Sequence, residues 1–233
     1  LLVLPDLCLM TYEKFALEAL KTFDSYLQTL SAPFDSYLED LLLESTFYRI
    51  LDNDQEAGFF AIHHHSLLTQ FFLLPSVRTR SQVILADMLD KFPVEKALVA
   101  TCDEFYLSHL LDTQAEIHKQ AYFFTAGGRE SSPRLAGDMT VRLATPEDLP
   151  KAKTVSGDFL EDLDGSDSQT DIYLGVSNEA LVALGVLVES RLFPPHASIG
   201  MFTVEEHRHK GIGTSMILAL KDICRQRNLK PLA

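Results

Sequence analysis

The amino-acid sequence predicts an α+β protein of two similar halves, each a mixed, mostly antiparallel sheet flanked by helices. Its 233 residues are enough for two domains of roughly 100–130 residues each. Apolar residues make up 46% of the chain, which is sufficient for two buried cores. The same order of segments occurs twice, namely a helix, strands, a hairpin, a strand and a long helix, which indicates an internal duplication.

The first half begins with apolar residues at helical spacing, which predict a helix over residues 12–30. Two strand-like runs are separated only by His64 and His65, so these two residues are expected to form a hairpin turn. The same periodicities predict a helix over residues 33–44, strands over residues 47–51, 57–63 and 66–74, a helix over residues 76–91, a buried strand over residues 97–101, a helix over residues 103–111 and a strand over residues 121–124.

The pattern is interrupted by small, polar and turn-forming residues, among them Gly127, Gly128 and Pro133. Such a composition is typical of a linker. We therefore expect a first domain over residues 1–125, a linker over residues 126–138 and a second domain over residues 139–233.

The second half opens with a strand over residues 139–143 and a helix running towards Phe159. Thr145 is the expected N-cap of this helix, because Pro146 and two acids follow it. Further along we expect an acidic loop over residues 161–171, strands over residues 172–176, 181–189 and 197–204, turns at residues 178–179 and 193–195, and a helix over residues 211–228. The next strand should begin near Pro231, so we expect this half to lack its last strands and helix.

The charge and the cysteines limit the function classes. A formal net charge of −13 repels phosphate backbones, which excludes nucleic acid as a partner and favours cationic ligands such as amines. Three cysteines without C-x-x-C spacing provide neither a disulfide framework nor a zinc site, and they indicate a reducing, cytoplasmic setting. No apolar run approaches the roughly 20 residues of a membrane span, so we expect no membrane partner.

Three consecutive histidines, His63, His64 and His65, raise the hypothesis of a metal site. Alternate side chains of a strand face opposite sides, so at most two of the three can converge. No acid or cysteine lies at a useful spacing from them. We therefore predict a polar hairpin turn and no metal ligand.

The strongest functional signal lies between Val204 and Ser215, where a predicted strand ends, a polar turn follows and a long helix begins. The first amides of a helix have no partner within the helix, and the helix dipole adds partial positive charge there. Glycine has no Cβ to block a ligand from the backbone. The turn contains two glycines and several side-chain donors, and it therefore predicts a phosphate or pyrophosphate site: Arg208, His209, Lys210, Gly211, Gly213, Thr214 and Ser215.

Two other phosphate-binding patterns fit this segment less well. The dinucleotide fingerprint requires a third glycine where this chain has Met216. The P-loop requires a lysine after its last glycine, and Gly213 is followed by Thr214.

The residues of this turn resemble the GNAT superfamily of acyl-CoA N-acyltransferases. Residues 208–213, Arg-His-Lys-Gly-Ile-Gly, match the family signature Arg/Gln-x-x-Gly-x-Gly/Ala, and residues 139–148 resemble the opening strand and helix of the family. The resemblance covers residues 139–233 and implies acetyl-CoA as the cofactor. It implies that Phe202, Thr203 and Val204 pair with the pantetheine arm. It also implies that the backbone amides of His209, Lys210, Gly211, Ile212, Gly213 and Thr214 bind the pyrophosphate, with Arg208 close by.

The resemblance implies acyl transfer to a small-molecule or peptide amine, with the thioester near the middle of the strand over residues 197–204. A backbone N–H there would polarise the thioester carbonyl. The amine is charged at neutral pH, so a general base must take its proton. Our candidates for this base are Glu189 and Glu206, with His196 and His207 as weaker ones. In many family members a tyrosine protonates the leaving thiolate, and the helix that carries it would lie beyond Ala233.

The first half resembles the same fold in a degenerate form, because the turn over residues 77–82 holds no glycine. We assign no cofactor site there. Two alternatives to the N-acetyltransferase reading stay open, a non-catalytic acyl-CoA-binding or regulatory module and a scaffold that binds no CoA. The identity of the acceptor amine and the formation of a homodimer are also open.

Overall fold

A computed structural model describes residues 10–113, 116–125, 136–161 and 169–233. The chain divides into two compact units, residues 1–120 and residues 121–233. Each unit contains one five-stranded sheet whose strands lie side by side in chain order. In both sheets the first three pairings are antiparallel and the last is parallel. This repeated topology confirms the predicted fold class. Most of the predicted linker, residues 126–135, lies outside the described residues.

The first four strands of unit one form an antiparallel meander, and its helices lie between the first two strands, between the fourth and fifth strands, and after the fifth strand. Its elements are β1 (Thr11–Phe15), a 3₁₀ helix (Leu17–Ala19), α1 (Phe23–Leu27), α2 (Ser36–Leu43), β2 (Thr46–Asp52), β3 (Gln55–His63), β4 (Leu67–Leu73), a 3₁₀ helix (Pro75–Arg80), α3 (Ser81–Lys91), β5 (Lys96–Ala97) and α4 (Glu104–Thr113). The hairpin turn at His64 and His65 is confirmed, and both residues have positive φ. The left-handed backbone of these two residues is typical of a two-residue turn that joins two twisted antiparallel strands.

The predicted helix over residues 12–30 is wrong. The segment instead forms β1, which pairs antiparallel with β2, followed by two short helical pieces. The apolar residues of this segment are buried by tertiary contacts rather than by one helical face. Tyr12 packs edge-on against Phe60 and Phe92, and Tyr26 packs against Phe59. Pairing with a neighbouring strand overrode the local helical spacing.

The predicted strands over residues 97–101 and 121–124 need correction. Only Lys96 and Ala97 pair with β4, and the chain then leaves the sheet. Residues 121–124 form no strand in unit one. Instead, Phe124 and Ala233 exchange two backbone hydrogen bonds within unit two. Pairing between segments so distant in sequence leaves no local signal.

Unit two repeats the arrangement with longer central strands. Its elements are β6 (Thr140–Leu143), α5 (Leu149–Ser156), a 3₁₀ helix (Gly157–Leu160), β7 (Thr170–Ser177), β8 (Ala180–Glu189), β9 (His196–Thr203), a 3₁₀ helix (Glu205–His207), α6 (Ile212–Gln226) and β10 (Lys230–Leu232). The expected acidic loop is shorter than predicted, because Thr170 and Asp171 already belong to β7. Residues 162–168 of that loop lie outside the described residues.

Helix α5 begins at Leu149, and its N-cap residue is Asp148 rather than the expected Thr145. The reason is a side-chain cluster ahead of the helix, in which Thr145 donates both its N–H and its hydroxyl to the Asp148 carboxylate. Arg142 adds two further hydrogen bonds to the same carboxylate, at 2.6 and 2.8 Å. These contacts hold residues 145–148 in a turn.

The sheet of unit two is packed between two helical layers. Helix α6 covers one face, where Met216 and Leu220 are fully buried. The absence of a side chain at Gly185 allows this close approach, because a Cβ there would lie 2.5 Å from the Met216 methyl group. Helix α5 and the following 3₁₀ helix cover the other face, with Ala152 and Leu160 fully buried. The packing places the start of α6 beside the end of β9.

Candidate functional site

Strand β9 is paired along its full length on one side and only partly on the other. All of its residues from Ala197 to Thr203 pair with β8 without a register shift. Strand β10 pairs only with His196, Ala197 and Ser198. Within the described residues, the edge of β9 from Ile199 to Thr203 therefore has no strand beside it. We name this stretch the open edge.

The alternation of an antiparallel ladder determines which backbone groups face the open edge. The Val204 N–H donates to the Val182 carbonyl, and the Ser190 N–H donates to the His196 carbonyl. Even-numbered residues of β9 therefore direct their N–H and C=O groups towards β8. The N–H and C=O groups of Met201 and Thr203 point the other way, into the open edge. They are positioned to pair with an extended, amide-containing ligand.

The connection from β9 to α6 contains two left-handed backbone positions, His209 with φ 61° and Gly211 with φ 78°. Helix α6 begins immediately after Gly211. The Ser215 N–H donates to the Gly211 carbonyl as the first bond of the helix. Within the part of the chain that the structure describes, the amides of residues 209–214 donate no hydrogen bond. Six consecutive amides are thus available to an anion.

Gly213 brings this tip of α6 against the open edge. A Cβ at Gly213 would lie 2.8 Å from the Met201 methyl group and 3.1 Å from the Thr203 hydroxyl. A side chain at this position would have to displace the Met201 side chain and would crowd the Thr203 hydroxyl. The close approach places the unpaired amides beside the outward-facing backbone groups of Met201 and Thr203.

The tip of α6 has no acidic or capping side chain within its own first turn. By contrast, Asp35 caps α2 with its own carboxylate, which accepts from the Leu38 N–H. Lys210 folds back so that its ammonium group donates to the Glu206 carbonyl at 2.8 Å. The positive end of the α6 dipole is therefore not neutralised by a carboxylate of its own turn.

The three residues expected to meet a pantetheine arm differ in their orientation. Thr203 faces the open edge, and its carbonyl accepts from Arg208 Nε at 3.2 Å. The backbone groups of Phe202 and Val204 face β8, and the side chain of Phe202 packs against Phe159 on the α5 face. Met201 was missed by the sequence argument. It can be identified only from which residues of β9 direct their backbone groups towards β8, and the sequence does not reveal this alternation.

The two candidate bases lie far apart. Glu189 ends β8 opposite Ala197, and its carboxylate is held by Arg227, which follows α6 and also binds Asp171. Glu206 lies in the 3₁₀ helix before the other end of α6. A helix of 15 residues spans about 22 Å, so these carboxylates cannot act on one bound thioester. Glu189 lies near the end of the open edge that adjoins the last residue of β10, whereas Glu206 lies near the amides of the turn.

The two histidine candidates lie at the ends of secondary-structure elements. His196 is the first residue of β9, and its Nδ1 lies 2.8 Å from the carbonyl of Phe193 in the preceding loop. His207 ends the short 3₁₀ helix, where its backbone N–H donates to the Val204 carbonyl.

The corresponding connection in unit one is built differently. There the chain passes from β4 through a 3₁₀ helix directly into α3, with no left-handed residue between them. The space beside β4 is lined by aromatic and polar side chains, and the Tyr106 hydroxyl donates to the Leu68 carbonyl. Burial raises the pKa of the Asp103 carboxyl that borders this space. The connection of unit one therefore lacks the left-handed turn that precedes α6 in unit two.

The described residues contain neither a metal-type cluster of side chains nor a membrane-spanning helix. None of them form a group of three or more histidine, cysteine and acidic side chains that could hold a metal ion. None of the helices among them is long and apolar enough to cross a membrane.

The fold and site of unit two define an α+β protein in which a glycine-containing turn with unpaired amides lies beside an open strand edge. The family model described as "Acetyltransferase (GNAT) family" matches residues 140–233, and the model described as "Acetyltransferase (GNAT) domain" matches residues 17–127. The chain therefore belongs to the GNAT family of acetyltransferases and contains two such domains in tandem. A search of curated proteins found no match.

Solved structures show the same fold. An acetyltransferase from the GNAT family of Colwellia psychrerythraea aligns over 95% of this chain and 88% of its own, with 16% identity and a TM-score of 0.77. A GCN5-related N-acetyltransferase from Kribbella flavida aligns over 77% of this chain and 78% of its own, with 13% identity and a TM-score of 0.51. At these identities the likeness concerns the fold.

Proposed function

We propose that unit two binds acetyl-CoA and transfers its acetyl group to the amine of a small molecule or a peptide. The proposal rests on membership of the acetyltransferase family and on one structural observation. This observation is the run of unpaired amides at residues 209–214, which begins beside the open edge of β9. Such amides at the tip of a helix suit a pyrophosphate, and the neighbouring strand edge suits the two amide groups of a pantetheine arm.

Bound acetyl-CoA would supply an activated thioester to the open edge. We assign the Met201 N–H to the thioester carbonyl, because this group faces the open edge near its middle. A fixed N–H donor stabilises negative charge that develops on a carbonyl oxygen during attack. The Thr203 N–H would pair with the pantetheine arm closer to the pyrophosphate.

We assign Glu189 as the general base. With the pyrophosphate at the turn, the reactive end of the ligand would lie towards the last residue of β10, and Glu189 is the candidate at that end. Its carboxylate would accept the proton of the attacking amine through a water molecule. The ion pair with Arg227 would fix the orientation of the carboxylate. Glu206 is the alternative base and lies at the phosphate end.

The proposal is tested by calorimetry with acetyl-CoA and CoA, followed by measurement of thiol release across a panel of amines. We expect binding of both ligands and turnover with at least one amine. Binding without turnover would favour the non-catalytic acyl-CoA-binding module. Absence of binding would overturn the assignment of the turn.

The matched variants are Gly211→Glu and Gly211→Lys. Both place a side chain at a left-handed position, so both carry the same backbone strain of about 1 kcal/mol. Only the glutamate adds negative charge at the amides. We expect Gly211→Glu to lower the affinity for acetyl-CoA more than tenfold below that of Gly211→Lys, with equal thermal stability. Equal affinities of the two variants would contradict the assigned anion site.

A further inference from the structure

An arginine makes the same pair of contacts at the same place in both units. In unit two, Arg208 Nε donates to the Thr203 carbonyl at 3.2 Å, and its guanidinium lies 5.8 Å from the centre of the Phe202 ring. In unit one, Arg78 Nε donates to the Leu73 carbonyl at 3.0 Å, and its guanidinium lies 5.8 Å from the Phe72 ring. The spacing in sequence is also the same, with the carbonyl five residues and the ring six residues before the arginine.

The backbone around each arginine matches as well. The residue after the carbonyl donates its N–H back to the preceding strand, Leu74 to Ala57 in unit one and Val204 to Val182 in unit two. Both carbonyls lie on the strand edge that faces away from the preceding strand. Each arginine therefore joins the end of its strand to the turn that follows.

The turns diverge after the arginine. Unit two continues through the left-handed residues His209 and Gly211, whereas unit one continues from its 3₁₀ helix directly into α3. The arginine contacts are thus present in a connection that contains no glycine and no left-handed residue. A phosphate ligand does not account for them in unit one.

We propose that Arg208 is a positioning residue, which fastens the start of the phosphate-binding turn to the end of β9 through the Thr203 carbonyl. Its contribution to acetyl-CoA binding comes from holding the amides in place rather than from its charge. The proposal rests on the proposed function for its effect on acetyl-CoA, but the contact itself exists in the free protein.

The test compares Arg208→Gln with Arg208→Met. The side-chain nitrogen of glutamine occupies the position of arginine Nε and can donate to the Thr203 carbonyl without any charge. Methionine has a similar length and no donor. A lost hydrogen bond of ordinary strength corresponds to about a fivefold change in affinity. We expect Arg208→Gln to bind acetyl-CoA about fivefold more tightly than Arg208→Met, with the same dependence of the dissociation constant on salt as the natural protein.

A role that depends on the charge of Arg208 predicts a different result. Both variants would then lose affinity to the same extent, and both would flatten the salt dependence of binding. That result would overturn the proposal.

A second measurement is independent of acetyl-CoA. Amide hydrogen exchange of the free protein reports the opening of the turn. We expect faster exchange at the His207 and Arg208 amides in Arg208→Met and restoration in Arg208→Gln. Arg78→Met should accelerate exchange at the Val77 amide in unit one without changing the affinity for acetyl-CoA. If the natural protein fails to bind acetyl-CoA, the proposed function fails, but the exchange data still decide whether Arg208 fastens the turn. Unchanged exchange in Arg208→Met would refute the positioning role.

Discussion

The two units share a strand order and an arginine contact but differ in the connection to the helix after their fourth strand. Counting from the shared arginines, unit one has Ser81 and Val83 where unit two has Gly211 and Gly213. In unit two these glycines permit a left-handed turn and a close approach to the strand. In unit one, Val83 is about half exposed, and the chain enters α3 without such a turn. On one topology, the two units therefore differ at two positions of this connection where only unit two has glycine.

The second difference lies at the turn between the third and fourth strands. In unit one, the two histidines close a tight hairpin that carries no carboxylate. In unit two, β8 extends to Glu189, and a longer loop leads to β9. The unit with the glycine-containing turn therefore also has a carboxylate at the opposite end of its open edge.

Substitution of Glu189 by glutamine should produce the largest effect. Glutamine keeps the shape of the side chain but cannot accept a proton, so we expect kcat for amine acetylation to fall by about 10²–10⁴-fold. Calorimetry should show unchanged affinity for acetyl-CoA. Glu206→Gln is the matched control at the phosphate end, and a larger loss of kcat in that variant would transfer the role of base to Glu206.

Exchange of one residue between the units should give the next largest effect. Gly213→Val places the residue of unit one into unit two, where its side chain would overlap Met201 and Thr203. Overpacking of this kind costs roughly 1–3 kcal/mol, which corresponds to a loss of roughly 5- to 150-fold in affinity for acetyl-CoA if it acts on the bound state.

The reciprocal variant, Val83→Gly, sharpens the comparison. We expect unit one of this variant still not to bind acetyl-CoA, because the left-handed turn of unit two is missing there. The experiment is best done in the Gly211→Glu background, in which the site of unit two is disabled. Recovery of binding in the double variant would show that one glycine suffices.

The parts of this site that the sequence predicts are the local ones. The strand, the glycine turn and α6 follow each other without a gap, so Gly211, Gly213 and the buried stripe of α6 were all identifiable. Met201 was not identifiable, because its orientation depends on the pairing of β9 with β8. The arginine contacts were also invisible, since each joins a side chain to a carbonyl whose direction depends on a neighbouring strand.

The same distinction explains the wrong helix in unit one. Residues 12–30 have helical apolar spacing, but β2 presents an edge that β1 completes. The start of α5 is a smaller example of a local signal that other contacts override. Thr145 has the composition of an N-cap, but Arg142 and Asp148 organise the residues ahead of the helix through contacts that a propensity scale does not contain.

The pH dependence of stability should differ between variants of the two units, because Asp103, which precedes α4, and Asp148, which precedes α5, have opposite pKa shifts. In unit one, burial raises the pKa of Asp103, whose carboxylate accepts from the Tyr106 N–H. The folded state therefore favours the protonated form, and the favourable contribution is lost as the pH rises above the ordinary value of about 4. Asp103→Asn keeps the acceptor for the Tyr106 N–H and removes the charge.

We expect Asp103→Asn to raise the free energy of unfolding at pH 7 relative to the natural protein, with a smaller difference at pH 4. Urea denaturation at both values provides the measurement. Asp112 is the control, since Asp112→Asn alters an exposed carboxylate near the end of α4. A lower stability of Asp103→Asn at pH 7 would mean that the buried charge is compensated by its neighbours.

The smallest effect belongs to Asp148 in unit two. Arg142 and the Thr145 N–H hold the pKa of this carboxyl below its ordinary value, so it stabilises the fold at neutral pH and the contribution is lost as the pH falls through the acid range. The group is exposed, and salt screens its interaction with Arg142. Asp148→Asn should therefore lower the melting temperature slightly at pH 7 in dilute buffer, and this difference should shrink both at pH 3 and in 1 M salt. A difference that persists in high salt would assign the effect to the hydrogen bonds from Thr145, which asparagine replaces only in part, rather than to the charge. Opposite responses of Asp103→Asn and Asp148→Asn would show that the units, although alike in topology, place their helix-starting carboxylates in opposite electrostatic environments.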